Sequence, residues 1–361
     1  MAGEIVDADA HVVESAAFVK QALKRWPQLV KVEKGSDGSL GLTIEGRRYP
    51  ETRGPGAGCP PAHALTTAEG ANPSSVEGML ADADRDHIDR MVLFPSMGLA
   101  VPGLRDLAFA AEFAAAYNTF IADWCRQSGG RLFGVAVLPI EDIEASVKLV
   151  HAAKAAGLVC AALPPALRER NLDHPDLGPL YSACEELDLP VAIHGAPGVH
   201  LPKIGVDRFD NYIQVHCVSF PFDQMTAMTA LLSGGALDRH PKLRVAFLEA
   251  GVTWVPYFMD RLHEHWEKRG DWIEGGWQHD PREYLARGQV YVSCEPDETV
   301  LPAVIDACGD DFILYASDYP HWDGEFPDST QPLRTRTDIS EPSRRKILAS
   351  NAVRFFSLPE A

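Results

Sequence analysis

The sequence predicts an α/β fold, a (β/α)8 TIM barrel with a long insertion after the first strand. Eight short apolar segments alternate with amphipathic helical segments along the whole chain. Seven of the eight apolar segments are continuous rather than alternating, which is typical of parallel strands buried on both faces. The chain has 361 residues, and such barrels commonly take about 250 residues or more.

The eight predicted strands are Ile5–His11, Met91–Ser96, Leu132–Pro139, Leu158–Pro164, Pro190–Gly195, Arg244–Gly251, Gln289–Glu295 and Phe312–Tyr319. The predicted helices are Val76–Asp89, Leu107–Gln127, Ile143–Ala156, Leu177–Leu187, Phe222–Gly234, Trp254–Glu267, Thr299–Ala307 and a closing helix, Ser343–Phe356. A doubly wound open sheet is the alternative architecture. It requires a glycine-rich phosphate turn after the first strand, and no G-x-G-x-x-G motif is found there.

Two long segments are additional to the strands, helices and short loops of a minimal barrel. Residues 12–75 form the insertion, which is rich in glycine and proline at Gly54, Pro55, Gly56, Gly58, Pro60 and Pro61. Residues 197–215 form a second long loop after the fifth strand. Both follow the carboxyl end of a strand, where barrel active sites lie, so the insertion is predicted to be a lid or binding segment. We expect residues 1–361 to form a single metal-dependent barrel domain.

The composition excludes several classes of partner. The chain carries 33 Lys and Arg against 51 Asp and Glu, a net charge of −18, which argues against binding to nucleic acid or to anionic membranes. No signal peptide and no membrane-spanning apolar run is visible, and the seven cysteines form no C-x-x-C pair, so a cytoplasmic location is expected. If the chain associates with itself, a homodimer is expected, because it is the commonest symmetric assembly.

Ionisable residues end five of the predicted strands. Each alone has an ordinary structural explanation, such as a helix cap or a hydrogen-bonded core group. Gathered around one rim of a barrel, they would repel or desolvate one another unless a cation compensated them. Alternation along the first strand places Asp7, Asp9 and His11 on one face. The sequence therefore predicts a metal site from Asp9 and His11 on the first strand, His194 on the fifth, Glu249 on the sixth, Glu295 on the seventh and Asp318 on the eighth.

Two further histidines are candidates for a role in the site. His216 precedes the predicted helix after the second long loop, where it can be a metal ligand, a proton shuttle or a plain surface residue. His321 lies one turn beyond Asp318, and a role in supporting a ligand is favoured over direct ligation.

Several of these residues resemble a known family. Asp9-Ala-His11 on the first strand, His194 on the fifth and the Ser317–His321 run (SDYPH) on the eighth are similar to the amidohydrolase-related TIM barrels. That family includes aminocarboxymuconate-semialdehyde decarboxylase and resorcylate decarboxylase, and the resemblance covers nearly the whole chain. It implies one divalent metal ion bound by Asp9, His11, His194 and Asp318.

The chain also departs from the family pattern. The decarboxylases have a catalytic histidine in a His-x-Gly motif after the sixth strand, where this chain has Glu249-Ala-Gly251, and Glu295 adds another carboxylate. Carboxylate-rich sites suit iron. These features resemble a di-iron branch of the fold that includes the diterpenoid hydroxylase of platensimycin and platencin biosynthesis.

The resemblance to this branch implies a nonheme di-iron monooxygenase of secondary metabolism, an oxidoreductase that hydroxylates a bulky apolar substrate, either a diterpenoid or an acyl or CoA-linked compound. Its partners would be O2 and an electron donor. Glu249, His216 and His321 would be catalytic. Two Fe ions would be bound by Asp9, His11, His194, Glu249, Glu295 and Asp318.

The alternative is a metal-dependent hydrolase or decarboxylase of the same family with one Zn or Mn ion bound by His11, His194 and Asp318. Such an ion would lower the pKa of bound water to about 7 or polarise a carboxylate. Glu249 or His216 would then be the general acid or base. A non-enzymatic binding barrel is disfavoured, because so many desolvated charges would destabilise a fold that does not use them.

Overall fold

The structure, a computed structural model, describes residues 4–34, 40–51, 57–58, 67–274 and 277–359. Its strands are β1 (Val6–Val12), β2 (Val30–Lys34), β3 (Leu40–Ile44), β4 (Arg47–Tyr49), β5 (Arg90–Pro95), β6 (Leu132–Val137), β7 (Cys160–Leu163), β8 (Val191–Ile193), β9 (Val245–Phe247), β10 (Val290–Cys294) and β11 (Ile313–Tyr315). The helices are α1 (Ala16–Arg25), α2 (Val76–Arg85), α3 (Leu107–Arg126), α4 (Ile143–Ala156), α5 (Gly178–Glu186), α6 (Tyr212–Ser233), α7 (Ala236–Arg239), α8 (Val255–Arg269), α9 (Pro281–Ala286), α10 (Leu301–Cys308), α11 (Gln331–Thr335), α12 (Glu341–Arg345) and α13 (Asn351–Phe356).

Eight parallel strands, β1 and β5 to β11, form a nearly closed barrel in which each strand pairs with the next along the chain. The first and last strands meet at their carboxyl ends. There the Asp318 amide donates to the Asp9 carbonyl at 3.0 Å, and the His11 amide donates to the Tyr319 carbonyl at 2.6 Å. The predicted (β/α)8 barrel is therefore confirmed, and these two bonds fix the ends of β1 and β11 against each other.

The carboxy-terminal helix closes the amino-terminal end of the barrel. Alternate strand residues fill the interior, and Phe355 and Phe356 of α13 pack into the same buried cluster. Arg244, just before β9, donates to the Phe355 carbonyl at 2.9 Å, which fixes the helix at the start of the strands. The opposite end of the barrel, where the carboxyl ends of the strands lie, is not covered by this helix and is available for a site.

The insertion is more ordered than its composition suggested. It contains α1 and a three-stranded antiparallel sheet, β2 to β4, rather than loop alone. Glu45 (φ 52°) and Gly46 (φ 74°) connect β3 to β4, and positive φ at both residues is what a two-residue hairpin requires. The predicted glycine- and proline-rich residues Gly54, Pro55, Gly56, Pro60 and Pro61 lie outside the described residues.

Helix α6 begins well before its predicted start at Phe222. It starts at Tyr212, where the Asn211 side chain caps it by accepting a hydrogen bond from the Ile213 amide at 3.0 Å. Proline usually marks a helix boundary, but Pro221 lies inside this helix. The prediction that His216 precedes the helix is therefore wrong, because His216 lies within its first turns. The predicted closing helix is also interrupted, by a π turn at Lys346–Ser350.

Within the described parts of the chain, no helix is both long and apolar enough to cross a membrane.

The described cysteines are free thiols: Cys125, Cys160, Cys184, Cys217, Cys294 and Cys308. Cys59 lies outside the described residues. Burial raises the pKa of Cys125 and of Cys184 to about 12. Thiols with so high a pKa are unreactive and act as small apolar packing groups.

A buried ion pair anchors the second long loop to α6. Lys203 Nζ lies 3.4 Å from Asp223 Oδ2, and the two side chains are only 5% and 3% exposed. Asp223 Oδ1 also accepts a hydrogen bond from the Ile204 amide at 2.9 Å. At its other end the loop contacts the insertion, since the Glu51 amide donates to the Gly198 carbonyl at 3.0 Å. The loop and the described part of the insertion are therefore in contact with each other.

We expect Asp223→Ala to destabilise the protein by about 3–5 kcal/mol, because it leaves the Lys203 ammonium buried without its partner. Urea unfolding measures the change in free energy. The double variant Lys203→Met with Asp223→Ala removes the stranded charge and should recover most of the loss. A single-variant loss below about 1 kcal/mol would show that the pair does not anchor the loop.

Candidate metal centre

Two imidazoles face each other at the carboxyl end of the barrel. His11 Nδ1 lies 3.0 Å from the Pro95 carbonyl oxygen, and His194 Nδ1 lies 2.7 Å from that of Gly195. A carbonyl oxygen only accepts, so each Nδ1 carries the proton and each Nε2 presents a lone pair. The two Nε2 atoms are 3.2 Å apart. This arrangement is typical of metal-binding histidines, because a shared cation removes the repulsion between the lone pairs.

Three carboxylates surround the imidazoles. Asp9 Oδ1 lies 3.8 Å from His11 Nε2 and 3.6 Å from His194 Nε2, and Asp318 Oδ1 lies 3.4 Å from His11 Nε2. Glu249 Oε1 lies 3.8 Å from His11 Nε2, and its Oε2 lies 3.5 Å from His194 Nε2. We call these five residues, Asp9, His11, His194, Glu249 and Asp318, the carboxylate–imidazole cluster.

The cluster contains buried oxygens with no protein partner in the described part of the chain. Both carboxylate oxygens of Asp9 and Glu249 Oε2 accept no hydrogen bond there. An unpaired buried carboxylate costs far more than an unpaired neutral group. A divalent cation satisfies such oxygens, and mixed carboxylate and imidazole donors are a common ligand set for one. The residues present therefore fit a metal ion.

The pKa values in the cluster also show that its negative charges are not compensated by the protein. Burial raises the pKa of Glu249 well above its usual range, and the charges of Asp318 and Asp9 raise it further. Burial also raises the pKa of Asp318, while burial and the neighbouring imidazoles lower the pKa of His11 well below its usual range. Without a cation, therefore, the neutral forms of the Glu249 and Asp318 carboxyl groups and of the His11 imidazole are favoured over the charged forms. Metal binding would displace protons from the cluster.

The backbone at two strand ends adopts a conformation that is rare outside glycine. Glu249 has φ 56° and Asp318 has φ 52°. Both conformations are held by neighbouring strands, since the Glu249 amide donates to Ser293 Oγ at 3.2 Å and the Asp318 amide to the Asp9 carbonyl at 3.0 Å. Backbone strain of this kind is concentrated at functional sites. Here it occurs at two of the cluster carboxylates.

Asp7 lies apart from the cluster, although alternation predicted it on one face with Asp9 and His11. The register of β1 is irregular between Asp7 and Ala10. Asp7 Oδ1 accepts from the Asp9 amide at 3.2 Å and from the Ser317 amide at 3.0 Å, and the Ser317 hydroxyl donates to Oδ2. Burial raises the pKa of Asp7 to about 7. Asp7 thus joins β1 to the segment that carries Asp318.

Both predicted catalytic histidines lie beside the cluster. His321 Nδ1 is 2.6 Å from Asp318 Oδ1 and 3.9 Å from Glu249 Oε1. Burial lowers the pKa of His321, but Asp318 and Asp323 more than offset this effect and raise the pKa to about 9. The same imidazole is near enough to be a ligand with His11, Glu249 and Asp318. Whether it supports a ligand, as expected, or binds metal directly stays a prediction.

His216 projects from α6 toward the same end of the barrel. Its Nε2 lies 3.5 Å from Asp323 Oδ2, and its ring packs on Phe220 with centroids 4.4 Å apart. Burial lowers the pKa of His216, and Asp323 only partly offsets this effect. His216 therefore favours the neutral imidazole, which can accept a proton or pass one on.

Glu295 belongs to neither metal-compatible group formed by the described residues. Glu295 lines a cavity of about 260 Å³ that three cluster carboxylates, Asp9, Glu249 and Asp318, also line. Burial raises the pKa of Glu295 to about 8, with a further contribution from Asp318. The strand-end position predicted a sixth ligand. Glu295 faces the same cavity as the cluster carboxylates without joining either group, and whether it binds metal stays a prediction.

Gln224 is a positioning residue that the sequence did not reveal. Its Nε2 donates to the Ile193 carbonyl at 3.0 Å and to the Leu248 carbonyl at 2.8 Å. These carbonyls precede His194 and Glu249 directly, so one amide fixes two strand ends that carry cluster residues. A glutamine within an apolar helix gives no sequence signal for such a bridge, because its partners come from two other segments.

A sequence model of the Amidohydrolase family matches residues 6–358. The 2-amino-3-carboxymuconate-6-semialdehyde decarboxylase of Dictyostelium discoideum is 28% identical over 251 residues, which are 69% of this chain and 67% of that protein. The gamma-resorcylate decarboxylase of Rhizobium sp. (strain MTP-10005) is 27% identical over 282 residues, 73% of this chain and 81% of the relative.

The fold also matches a solved decarboxylase structure. The crystal structure of 5-carboxyvanillate decarboxylase from Novosphingobium aromaticivorans, complexed with manganese, superposes with a TM-score of 0.71. The alignment covers 98% of this chain and 96% of the other, with 19% sequence identity. At this identity the match supports the shared barrel fold.

These relatives contradict the predicted nonheme di-iron monooxygenase, and with it the assignment as an oxidoreductase of secondary metabolism. The named relatives are decarboxylases. Two Fe ions are likewise unsupported, because the named relatives are decarboxylases and Glu295 belongs to neither metal-compatible group formed by the described residues. The error came from interpreting Glu249 and Glu295 together as added iron ligands. The alternative of a metal-dependent decarboxylase agrees better with the relatives.

Proposed function

Because the chain belongs to the amidohydrolase family, whose sequence model spans residues 6–358, we propose that it is a metal-dependent decarboxylase of a carboxylic acid. The observation that carries the proposal is the carboxylate–imidazole cluster, with its unpartnered buried oxygens at the end of a cleft. Two similar relatives are decarboxylases, which supports this reaction over hydrolysis.

We infer a single divalent ion, Mn²⁺ or Zn²⁺, held by residues of the cluster. Asp9, His11, His194 and Asp318 are the ligands that the sequence resemblance implied, and Glu249 lies within reach of both imidazoles. When bound, such an ion polarises a substrate carboxylate and neutralises charge in a site that is rich in carboxylates. Manganese in the 5-carboxyvanillate decarboxylase structure supports an ion of this class.

Decarboxylation breaks the bond between the carboxyl group and its neighbouring carbon. CO2 leaves, the bonding electron pair stays on the carbon, and that carbon then takes up a proton. His216 and His321 both line the cleft next to the cluster. We assign proton delivery to His321, because Asp318 engages its Nδ1 at 2.6 Å and leaves Nε2 for proton exchange. Glu249 stands where the resembling decarboxylases carry their histidine, so this chain supplies its imidazole from the segment after β11.

The reaction is tested by measuring CO2 release and O2 consumption by the Mn²⁺-loaded protein. Suitable acids are those of the named relatives, 2-amino-3-carboxymuconate-6-semialdehyde, gamma-resorcylate and 5-carboxyvanillate, together with 1-hydroxy-2-naphthoate, a monocarboxylic acid with two fused rings. We expect CO2 at equal rates in air and under nitrogen, with one deuterium at the vacated carbon in D2O. His194→Ala is the inactive control. If folded, metal-loaded protein releases no more CO2 than this control from any of the acids, the proposal fails.

We expect Glu295→Gln to leave the metal content unchanged and to alter kcat by no more than about threefold. Glu295 belongs to neither metal-compatible group among the described residues, and glutamine keeps the size of its side chain. Metal content is measured by elemental analysis of the purified variant. Loss of the metal would show that Glu295 is a ligand after all.

A further inference from the structure

A cleft of about 500 Å³ leads to the cluster, and its walls determine what substrate can enter. At one end it is lined by Glu249, Asp318 and His321, and along its length by side chains such as Leu42 and Leu99. A cavity of about 150 Å³ is enough to hold benzene. The cleft is therefore several times larger than a single aromatic ring requires.

Three polar side chains along the wall, those of Glu14, Ser96 and Tyr49, are already engaged by the protein. The Glu14 carboxylate accepts from the Met97 and Gly98 amides at 2.9 Å and 3.0 Å. The Ser96 hydroxyl donates to the Val12 carbonyl at 3.0 Å, and the Tyr49 hydroxyl donates to the Gly103 carbonyl at 3.4 Å. A ligand lying along the wall thus meets mainly apolar surface there.

The described part of the wall offers no lysine or arginine to receive a second carboxylate. The neighbouring Lys203 is buried and paired with Asp223, and the cleft's own charged groups, apart from its histidines, are carboxylates. A second carboxylate of a substrate would be desolvated on the wall without a partner, which is strongly unfavourable.

We propose that the substrate is a monocarboxylic acid whose apolar body is larger than one aromatic ring. Its carboxylate lies at the cluster and its body lies along the wall that includes Leu42, Leu99 and Val199. The inference rests on the proposed decarboxylase function, because that function places a carboxylate at the cluster. Substrate specificity then depends on this wall, which contacts the apolar body and offers no partner to a second carboxylate.

Binding to Mn²⁺-loaded protein tests the proposal without turnover. Isothermal titration calorimetry with butanoate, decanoate and decanedioate compares flexible chains that follow the wall whatever its curvature. We expect decanoate to bind at least about tenfold more tightly than butanoate, since extra methylenes leave water. We expect decanedioate to bind at least about tenfold more weakly than decanoate, since its second carboxylate is desolvated.

Leu99→Arg adds a cation to the wall and should shift the preference toward decanedioate by at least about tenfold, whereas the matched variant Leu99→Met should not. Wild-type protein that binds decanedioate as tightly as decanoate, or butanoate as tightly as decanoate, or none of the three, overturns the proposal. CO2 release from the acids named above, 1-hydroxy-2-naphthoate included, is measured separately. If the binding order holds and no acid is decarboxylated, the proposed function fails and the specificity of the cleft stands.

Discussion

His194→Ala is expected to lose bound metal and at least about a thousandfold in kcat, because a metal ion contributes several kcal/mol to such a reaction. The substitution removes one of two neutral donors and leaves three carboxylates without compensation. His194 Nε2 lies 3.2 Å from His11 Nε2 and within 3.6 Å of Asp9 and Glu249 oxygens, so its loss removes a donor from the centre of the cluster. Elemental analysis and CO2 release measure the two losses together.

His151→Ala is the matched control for this experiment. His151 lies on α4, is exposed and is remote from the cluster, so its replacement removes an imidazole from the same chain without touching the site. It should keep both metal and activity. Full metal occupancy in His194→Ala, with an intact fold by circular dichroism, would exclude His194 as a ligand.

Glu249→Gln is expected to have opposite effects on stability and on metal binding. In metal-free protein the Glu249 Oε2 atom is buried without a partner, and the surrounding carboxylates repel its charge. A neutral amide relieves that repulsion, so the free energy of unfolding should rise by about 1 kcal/mol or more. Affinity for Mn²⁺ should fall at least about a hundredfold, because a charged ligand becomes a weak neutral one.

Urea unfolding of the metal-free protein and Mn²⁺ titration measure the two effects on one preparation. Glu77→Gln is the control, since Glu77 is exposed on α2 and its replacement should move neither quantity. A stabilised variant with unchanged affinity for Mn²⁺ would show that Glu249 is not a metal ligand. A destabilised metal-free variant would contradict the electrostatic account of the cluster.

Much of the barrel could be predicted from the sequence, because burial on both faces leaves a plain apolar signature. Strands such as Arg90–Pro95 and Leu132–Val137 fall close to their predicted positions. The residue following a buried run was also informative, since it lies at the barrel mouth whatever the loops do. That rule alone brought His194, Glu249 and Asp318 together with the first-strand pair Asp9 and His11.

The remaining features depend on contacts between distant segments. The helix predicted to start at Phe222 begins at Tyr212, because capping by Asn211 starts α6 earlier and places His216 within it. Strand-end position does not fix where a long side chain reaches, so Glu295 was grouped with residues that it does not join. The contact of Asp7 with Ser317 joins opposite ends of the chain, and no local pattern reports it.

The central claim is that these strand ends enclose a site for one divalent cation. Titration of metal-free protein with Mn²⁺, with free ion measured by electron paramagnetic resonance, tests it most directly because no substrate is needed. The account predicts one tight site per chain that is saturable in wild-type protein and absent in His194→Ala. Folded wild-type protein without tight Mn²⁺ binding, or with tight binding that survives in His194→Ala, would contradict it.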